Sequence, residues 1–429
     1  MNGFMIAAPH SGSGKTVVTL GLLRALRDHD FEIAPAKAGP DYIDPAFHAF
    51  ASGQICTNLD PWAMRKELIA HNANVHGKER LLIVEAMMGL FDGSADGSGS
   101  AADLAEQLAL PIVFVVDCAR MAQSIAALLS GYINHRPKLR FAGVILNRVG
   151  SARHEAMLRT ALEPLELPVL GVVMQDEALS LPSRHLGLVQ AREHEALEAF
   201  LAGAGATMDK SLDIEALSAL ETNIETSEQP PNILPPLGEH IAIAVDDAFA
   251  FCYPHIIEGW RGEGTEISYF SPLADEGPDP KADAVFLPGG YPELHAKQIA
   301  ETKHFKRAMR DAATRNQQIY GECGGYMVLG EKLIDADGES HEMLGLLPLV
   351  TSFEKRKRHL GYRKLLPLEG SPWQIPLLGH EFHYSQEVSG GEVSPIFAVS
   401  DALDNDMGEV GMRVGTVSGS YCHVIDRAD

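Results

Sequence analysis

The sequence predicts two consecutive α/β domains, and three observations carry that expectation. The chain has 429 residues, more than one ordinary core holds, so two domains of roughly 200 residues each are expected. Short Val- and Ile-rich runs of strand length alternate with longer amphipathic stretches, the pattern of a parallel sheet covered on both faces. The alternation stops near residue 222 and restarts near residue 238, with a proline-rich segment between. The expected division is therefore 1–222, a linker at 223–237, and 238–429.

In the first domain the strands are expected at "GFMIAA", "RLLIVEA", "LPIVFVVD", "FAGVILN" and "PVLGVVM". "APHSGSGKT" follows the first of these and precedes the helical pattern "TVVTLGLLRALRDH". A glycine-rich loop between strand and helix turns backbone N–H groups toward phosphate oxygens, and the helix terminus adds a favourable dipole. Ser11, Gly12, Ser13 and Gly14 form that loop. Lys15 is expected to reach the β- and γ-phosphates, and the Thr16 hydroxyl to hold Mg²⁺. The motif departs from its consensus at Pro9, where the first glycine would stand. A magnesium-dependent site needs carboxylates from other strands. Glu85 ends "LLIVE", where a second-strand acid approaches the metal, and Asp92 lies just beyond. "KAGPDYIDPAFH" reads as a third loop, carrying Lys37, Asp41 and Asp44; its Gly-Pro-Asp and Asp-Pro pairs signal turns. Taken singly these acids are as well explained as solvated loop charge. Three such loops after strands, beside a phosphate loop, gather where ligands bind in open parallel sheets.

The linker "NIETSEQPPNILPPLGEH" has four prolines and few large apolar residues. After it, "HIAIAVDDAF", "ADAVFLPGG" and "QQIYGECGG" resume the strand pattern. "GECGG" between "QIY" and "YMVLG" reads as strand, sharp turn, helix, a cysteine version of the nucleophile elbow. The glycines are expected to permit the turn, and the helix dipole to favour the Cys323 thiolate. Gly289 and Gly290 of "LPGGYPE", with the N–H of Gly324, are candidates for stabilising an oxyanion. His423 in "GSYCHVI" is the candidate base; Cys422 beside it reads as packing. "GHEFHYS" has HExH spacing, not the HExxH that sets two imidazoles on one helix face for zinc, and reads as a polar loop or strand. "FEKRKRHLGYRK", residues 353–364, is a basic island that reads as solvated surface or as a receiver of anionic substrate.

Composition bounds the partners. Apolar residues make up 45% and charged residues 22% of the chain, with a formal net charge of −23. That is a globular composition, and its acidity disfavours nucleic acid and anionic membrane as partners. No apolar run is long enough to cross a bilayer, and the start lacks a signal-peptide pattern. The five cysteines are scattered, without a CxxC pair, which fits a reducing cytoplasm.

"GECGG", "LPGGYPELHA" and "GSYCH" resemble class I glutamine amidotransferase domains. "APHSGSGKTVVTLGLLRAL", "KAGPDYIDPAFH" and "EAMMGLFDG" resemble the synthetase domain of the cobyrinic acid a,c-diamide synthase family. "FSPLADEGPDPKADAVFLPGGYPELHA" and "GHEFHYS" are similar to that family too. The resemblance covers nearly the whole chain in order. It implies a P-loop NTPase-like, dethiobiotin-synthetase-like parallel-sheet synthetase domain followed by a class I glutamine amidotransferase (flavodoxin-like) α/β domain. The activity implied is ATP- and glutamine-dependent amidation of the a and c acetate side chains of a corrin polycarboxylate, cobyrinate or hydrogenobyrinate. Cys323 would attack glutamine and His423 would shuttle protons. Lys15 and Thr16 would bind triphosphate and Mg²⁺, and Glu85 with Asp41 or Asp44 would complete the metal shell. Lys37, Tyr42, Ile43, Asp44 and Asp92 would meet the substrate carboxylate, and Asn147 the adenine. The resemblance leaves a homodimer open. Many class I domains carry Glu two residues after the histidine; here Ile425 stands there, which leaves open what orients His423. Ala86 and Ile43 also depart from the residues expected at their positions, Gly and Leu. The rival readings are a nickel-sirohydrochlorin a,c-diamide synthase, a cobyric acid synthase and a partitioning-type nucleotide switch. The last normally carries a signature lysine where this chain has His10.

Overall fold

A computed structural model describes residues 1–179, 197–225, 230–390 and 393–428. Part of the expected linker, residues 226–229, lies outside the described residues. The chain forms two compact units: Met1–Trp62 with Lys66–Pro231, and Asn232–Asp429 with Ala63–Arg65.

The first unit holds seven strands: β1 (Gly3–Ala7), β2 (Ile33–Ala38), β3 (Thr57–Leu59), β4 (Leu81–Glu85), β5 (Ile112–Asp117), β6 (Phe141–Val149) and β7 (Val169–Met174). They form one sheet in the order β3-β2-β4-β1-β5-β6-β7, and every neighbouring pair is parallel. The five apolar runs of the sequence are all strands. β1, β4 and most of β5 are buried along their whole length, as expected when helices cover both faces. Phe4 and Ile6 of β1 pack with Ile83, Val113 and Ile145 of neighbouring strands and with Leu22 and Leu26 of helix α1 (Lys15–Asp28).

Two strands were not expected. β2 reads "IAPAKA", and proline is ordinarily absent from a sheet interior because it cannot donate. Here β3 pairs only with Ala36–Ala38, so no strand flanks Pro35 on that side, and its carbonyl accepts the ring N–H of His76 at 2.8 Å. The stretch expected to be a loop, "KAGPDYIDPAFH", is corrected accordingly. It is the end of β2, a turn, and the start of helix α2 (Asp44–Ser52), with Pro45 in the first turn where its missing N–H costs nothing.

The second unit begins in the same style. Strands β8 (His240–Ala244), β9 (Glu266–Phe270), β10 (Ala284–Leu287) and β11 (Gln318–Glu322) pair in parallel. Between β11 and the chain end come β12 (Lys332–Ile334), β13 (Ser340–Glu342), β14 (Leu349–Ser352), β15 (His359–Pro367), β16 (Leu377–His383), β17 (Gln386–Gly390), β18 (Phe397–Ser400), β19 (Asp406–Val410), β20 (Met412–Val414), β21 (Val417–Ser420) and β22 (His423–Arg427). The main sheet runs β20-β21-β11-β10-β8-β9, parallel except for β20. Two further sheets, β13-β12-β14-β17 and β19-β18-β15-β16-β22, are largely antiparallel. The flavodoxin-like expectation thus holds for the parallel sheet, and residues 332–410 together with β22 add antiparallel sheets to it. "GHEFHYS" is mostly β16. In the basic island Lys355–Arg358 are exposed, while Tyr362 and Arg363 of β15 are buried.

Candidate active site

In a parallel sheet all carboxyl ends face one way, so the residues just past β1, β2 and β4 gather at one edge. Past β1, the chain turns through Gly12 (φ 83°) and Gly14 (φ 90°), left-handed conformations that glycine adopts without a Cβ clash. Pro9, the departure from consensus, does not disturb this turn; its carbonyl accepts the Tyr132 hydroxyl at 2.9 Å. The Ser13 hydroxyl donates to the His10 carbonyl at 2.8 Å. Lys15 opens α1 and its ammonium donates to the Met88 carbonyl; burial holds this lysine below its ordinary pKa.

Glu85 is the hub of the first unit's site. Completely buried, it accepts the Thr16 hydroxyl at 2.7 Å and the Lys37 ammonium at 3.0 Å on one oxygen, and meets the His48 ring nitrogen at 2.6 Å on the other. Burial alone would raise its pKa. Lys37, His48 and Thr16 outweigh burial and hold it well below the usual carboxylate range. Lys37 also donates to Asp44 at 2.5 Å and lies 3.9 Å from Asp41. Burial opposes its charge, but Asp44, Glu85 and Asp41 keep it protonated. Asp41 caps the turn before α2 by accepting the N–H groups of Ile43 and Asp44 at 2.8 and 3.2 Å. Burial and its neighbour Asp44 push it up to about 6. Tyr42 and Ile43 occupy that turn, with Ile43 half-buried against the core. Asp92 accepts the Gly89 N–H at 2.9 Å and so shapes the loop after β4.

Asn147, expected at the adenine, lies against the phosphate loop: its amide donates to the Ser13 carbonyl at 3.0 Å, and its oxygen accepts the Arg148 N–H at 3.0 Å. One N–H and one lone pair of the carboxamide remain beyond these bonds, and a Cβ on Gly14 would stand 2.2 Å from its nitrogen. His48, which sequence reasoning missed, is a fully buried partner of Glu85. Burial works against its charge, yet Glu85 and Cys56 raise it to about 10. The available signal was its place four residues after Asp44, one turn along the same helix face.

In the second unit, β11 runs into Cys323, whose backbone takes φ 48° and ψ −105°. That left-handed conformation is costly for a non-glycine residue, on the order of 1–3 kcal/mol, and persists where surrounding structure over-determines it. The glycines of "GECGG" permit that turn, as expected, by their missing Cβ atoms and not by their own dihedrals. None of Gly321, Gly324 and Gly325 has positive φ. They permit close approach: a Cβ on Gly325 would lie 2.0 Å from the Leu287 carbonyl oxygen, and one on Gly324 2.9 Å from the Gly290 nitrogen. The elbow therefore seats directly against "LPGG".

Gly289 stands between Cys323 and His423. A Cβ there would lie 2.3 Å from His423 Cε1, 3.0 Å from its Nε2 and 3.3 Å from Cys323 Cβ. The Cys323 N–H donates to the Ser420 carbonyl at 2.8 Å, tying the elbow to β21. Two residues later the chain leaves the parallel sheet for β22, where His423 pairs with His380 of β16. Burial raises the Cys323 thiol and drops His423 to about 3. This corrects the expected resting thiolate: the helix after Cys323 spans only Gly324–Leu329, and desolvation of a 3%-exposed residue outweighs its dipole.

The HExH residues form a stacked network. Glu381 accepts from Arg363 at 2.7 Å and meets His383 at 2.9 Å. His359, Glu381 and His383 come within 4.8 Å of one another, but the His359 and His383 rings are parallel, 1° apart at 4.7 Å. Imidazole lone pairs lie in the ring plane, so two stacked rings cannot converge on one ion. Cys422 is buried and its thiol is pushed up.

Two sequence families match the chain. The "CobQ/CobB/MinD/ParA nucleotide binding domain" matches residues 4–189, and the "CobB/CobQ-like glutamine amidotransferase domain" matches residues 240–429. Among similar proteins, the hydrogenobyrinate a,c-diamide synthase of Brucella anthropi is 60% identical over 99% of each chain. That of Rhizobium meliloti is 58% identical over 99% of each, and that of Mesorhizobium japonicum 47% identical over 99% of this chain and 98% of its own. Among the described residues no helix is long and apolar enough to cross a membrane.

Proposed function

Because the chain belongs to the hydrogenobyrinate a,c-diamide synthase family, we propose that it amidates the a and c acetate carboxylates of hydrogenobyrinate, using ATP and glutamine. The observation that carries this is the pairing of a nucleotide-type loop with a strained cysteine elbow in one chain whose relatives match it end to end. A carboxylate is a poor electrophile. Transfer of the γ-phosphoryl group to it forms an acyl phosphate and ADP; ammonia then attacks the carbonyl carbon and inorganic phosphate departs with the bonding electrons.

In the first unit, Gly12–Lys15 would cradle the triphosphate. Thr16 and Glu85 present oxygen donors 2.7 Å apart, the ligand type a hard divalent cation takes. Mg²⁺ held there would neutralise charge building on the phosphates. Lys37 and the Asp41–Asp44 turn, with Tyr42 and Ile43, would meet the acetate to be activated. In the second unit, the Cys323 sulfur attacks the glutamine amide carbon as His423 takes its proton. Backbone N–H groups of Gly290 and Gly324 would receive the developing oxyanion, and His423 returns the proton to ammonia as it leaves. Water then hydrolyses the thioester to glutamate. Five unbridged cysteines suit a reducing cytoplasm.

The deciding experiment incubates the protein with ATP, Mg²⁺ and glutamine beside hydrogenobyrinate, cobyrinate or nickel-sirohydrochlorin, and counts amides by mass spectrometry. Two amides on hydrogenobyrinate are expected. Turnover of nickel-sirohydrochlorin alone would reject the corrin assignment.

A further inference from the structure

The residue that orients the catalytic base is missing from its usual place, because Ile425 stands two positions after His423. Three carboxylates lie near the dyad: Glu293, Glu322 and Glu381. Glu381 has one oxygen on Arg363 and the other on His383, so it is already committed. Glu322 is placed differently. It is the last residue of β11, immediately before the nucleophile, and is 3% exposed. One oxygen accepts the Val424 N–H at 3.1 Å, on the residue directly after His423. The other lies 3.9 Å from His423 Nδ1. The opposite ring nitrogen, Nε2, faces Gly289 and the Cys323 side.

We propose that Glu322 is the positioning carboxylate of the glutaminase, replacing from the strand before the nucleophile the acid that the strand after the histidine lacks. Its anchor on Val424 fixes it relative to the histidine backbone. From there it receives Nδ1–H and leaves the Nε2 lone pair directed at the thiol. When the thiol proton moves to Nε2, the carboxylate faces the new imidazolium. The 3.9 Å separation is that of a site without substrate, where such contacts are commonly long and tighten in the reactive complex. A carboxylate at Nδ1 sets tautomer and orientation, and loss of that function in a serine triad costs about 10⁴-fold in kcat.

Burial pushes the Glu322 carboxyl up to about 8, partly offset by the Val424 N–H. The other groups facing it are Tyr320 on its own strand, Cys252 after β8, and Cys323, Cys422 and His423 around the elbow. Burial keeps each of these uncharged. Activity that needs Nδ1–H donated to an ionised carboxylate therefore rises as Glu322 loses its proton.

The inference rests on the glutaminase reading above, and the test separates the two. Glu322→Gln keeps an oxygen for the Val424 N–H and nearly the same volume. Its expected effects are a fall of at least about 100-fold in kcat for glutamine hydrolysis, an unchanged KM for glutamine, and unchanged amidation driven by added ammonia. The rise of wild-type hydrolysis toward pH 8 should vanish in the variant. Wild-type kcat in Glu322→Gln, or a fall in ammonia-driven turnover to match, overturns the positioning role. Cys323→Ser measured alongside keeps the readings distinct: if it also hydrolyses glutamine, the glutaminase assignment itself is wrong.

Discussion

Gly289→Ala is the sharpest perturbation the site allows, because it adds one methyl group between the Cys323 and His423 side chains. Gly289 is outside the left-handed region, so alanine brings no backbone strain and the effect is steric. The new Cβ would lie 2.3 Å from His423 Cε1, against about 3.5–4.0 Å for carbon atoms in contact. The shortfall is about 1.2 Å, and 3.3 Å to Cys323 Cβ leaves little room on the other side. The Gly289 carbonyl is held by the Phe251 N–H at 2.9 Å, so the loop resists moving away. The imidazole must then shift by about 1 Å, a displacement that costs on the order of 100-fold in rate. Overpacking of this kind destabilises by about 1–3 kcal/mol. Glutamate release from glutamine, measured by a coupled assay, should drop by that factor, while ammonia-driven amidation stays at the wild-type rate. A variant that hydrolyses glutamine normally would refute the placement of His423 and Cys323 about Gly289.

Cys323→Ser should abolish glutamine-dependent amidation and spare turnover with ammonia; loss of both, read by mass spectrometry, would remove the role assigned to the thiol. Lys15→Ala should eliminate ATP-dependent amidation while glutamine hydrolysis continues, checked by product mass and glutamate release. Neutralising the exposed Arg356 and Arg358 should raise KM for the corrin but not for ATP in steady-state kinetics. Glu322→Gln should also alter stability with a definite sign. The folded-state value of about 8 lies above the ordinary 4.5 of a glutamate. The carboxyl's contribution is therefore complete below 4.5 and lost as pH rises through 8. The variant, which cannot ionise, should gain on wild type across that window, by at most about 5 kcal/mol, visible as a Tm difference that widens with pH.

What the sequence made legible is what a contiguous stretch of backbone must encode. The phosphate loop, the elbow and the apolar parallel strands each require particular residues within a few positions of one another. Elements set by distant partners were hidden. β2 was obscured by Pro35, tolerable only because β3 is three residues long and pairs beyond it. The antiparallel sheets depend on pairings such as β16 with β22, whose residues are more than forty apart in sequence. His48 reads as an ordinary helix residue until β4 brings Glu85 to 2.6 Å. In "GECGG" the glutamate reads as a spacer between glycines, and only the path of β22 brings it the Val424 N–H and His423.

The elbow also shows why a dipole argument from sequence chose the wrong resting state. A short helix offers a fraction of a unit charge to the thiolate, whereas burying an unpaired anion costs several times as much. At rest the thiol is therefore pushed up and His423 down to about 3, which makes the dyad a pair of neutral groups. Proton transfer between them creates two opposite charges in a site with little water. In the proposed mechanism the reaction becomes favourable only when both charges are received together: the oxyanion by the backbone N–H groups of Gly290 and Gly324, and the imidazolium by Glu322. The first of these receivers needs a bound glutamine, because no oxyanion forms without it. On that proposal the thiol stays protonated until substrate arrives, and the same burial that suppresses its thiolate makes each compensating contact stronger once the reaction begins.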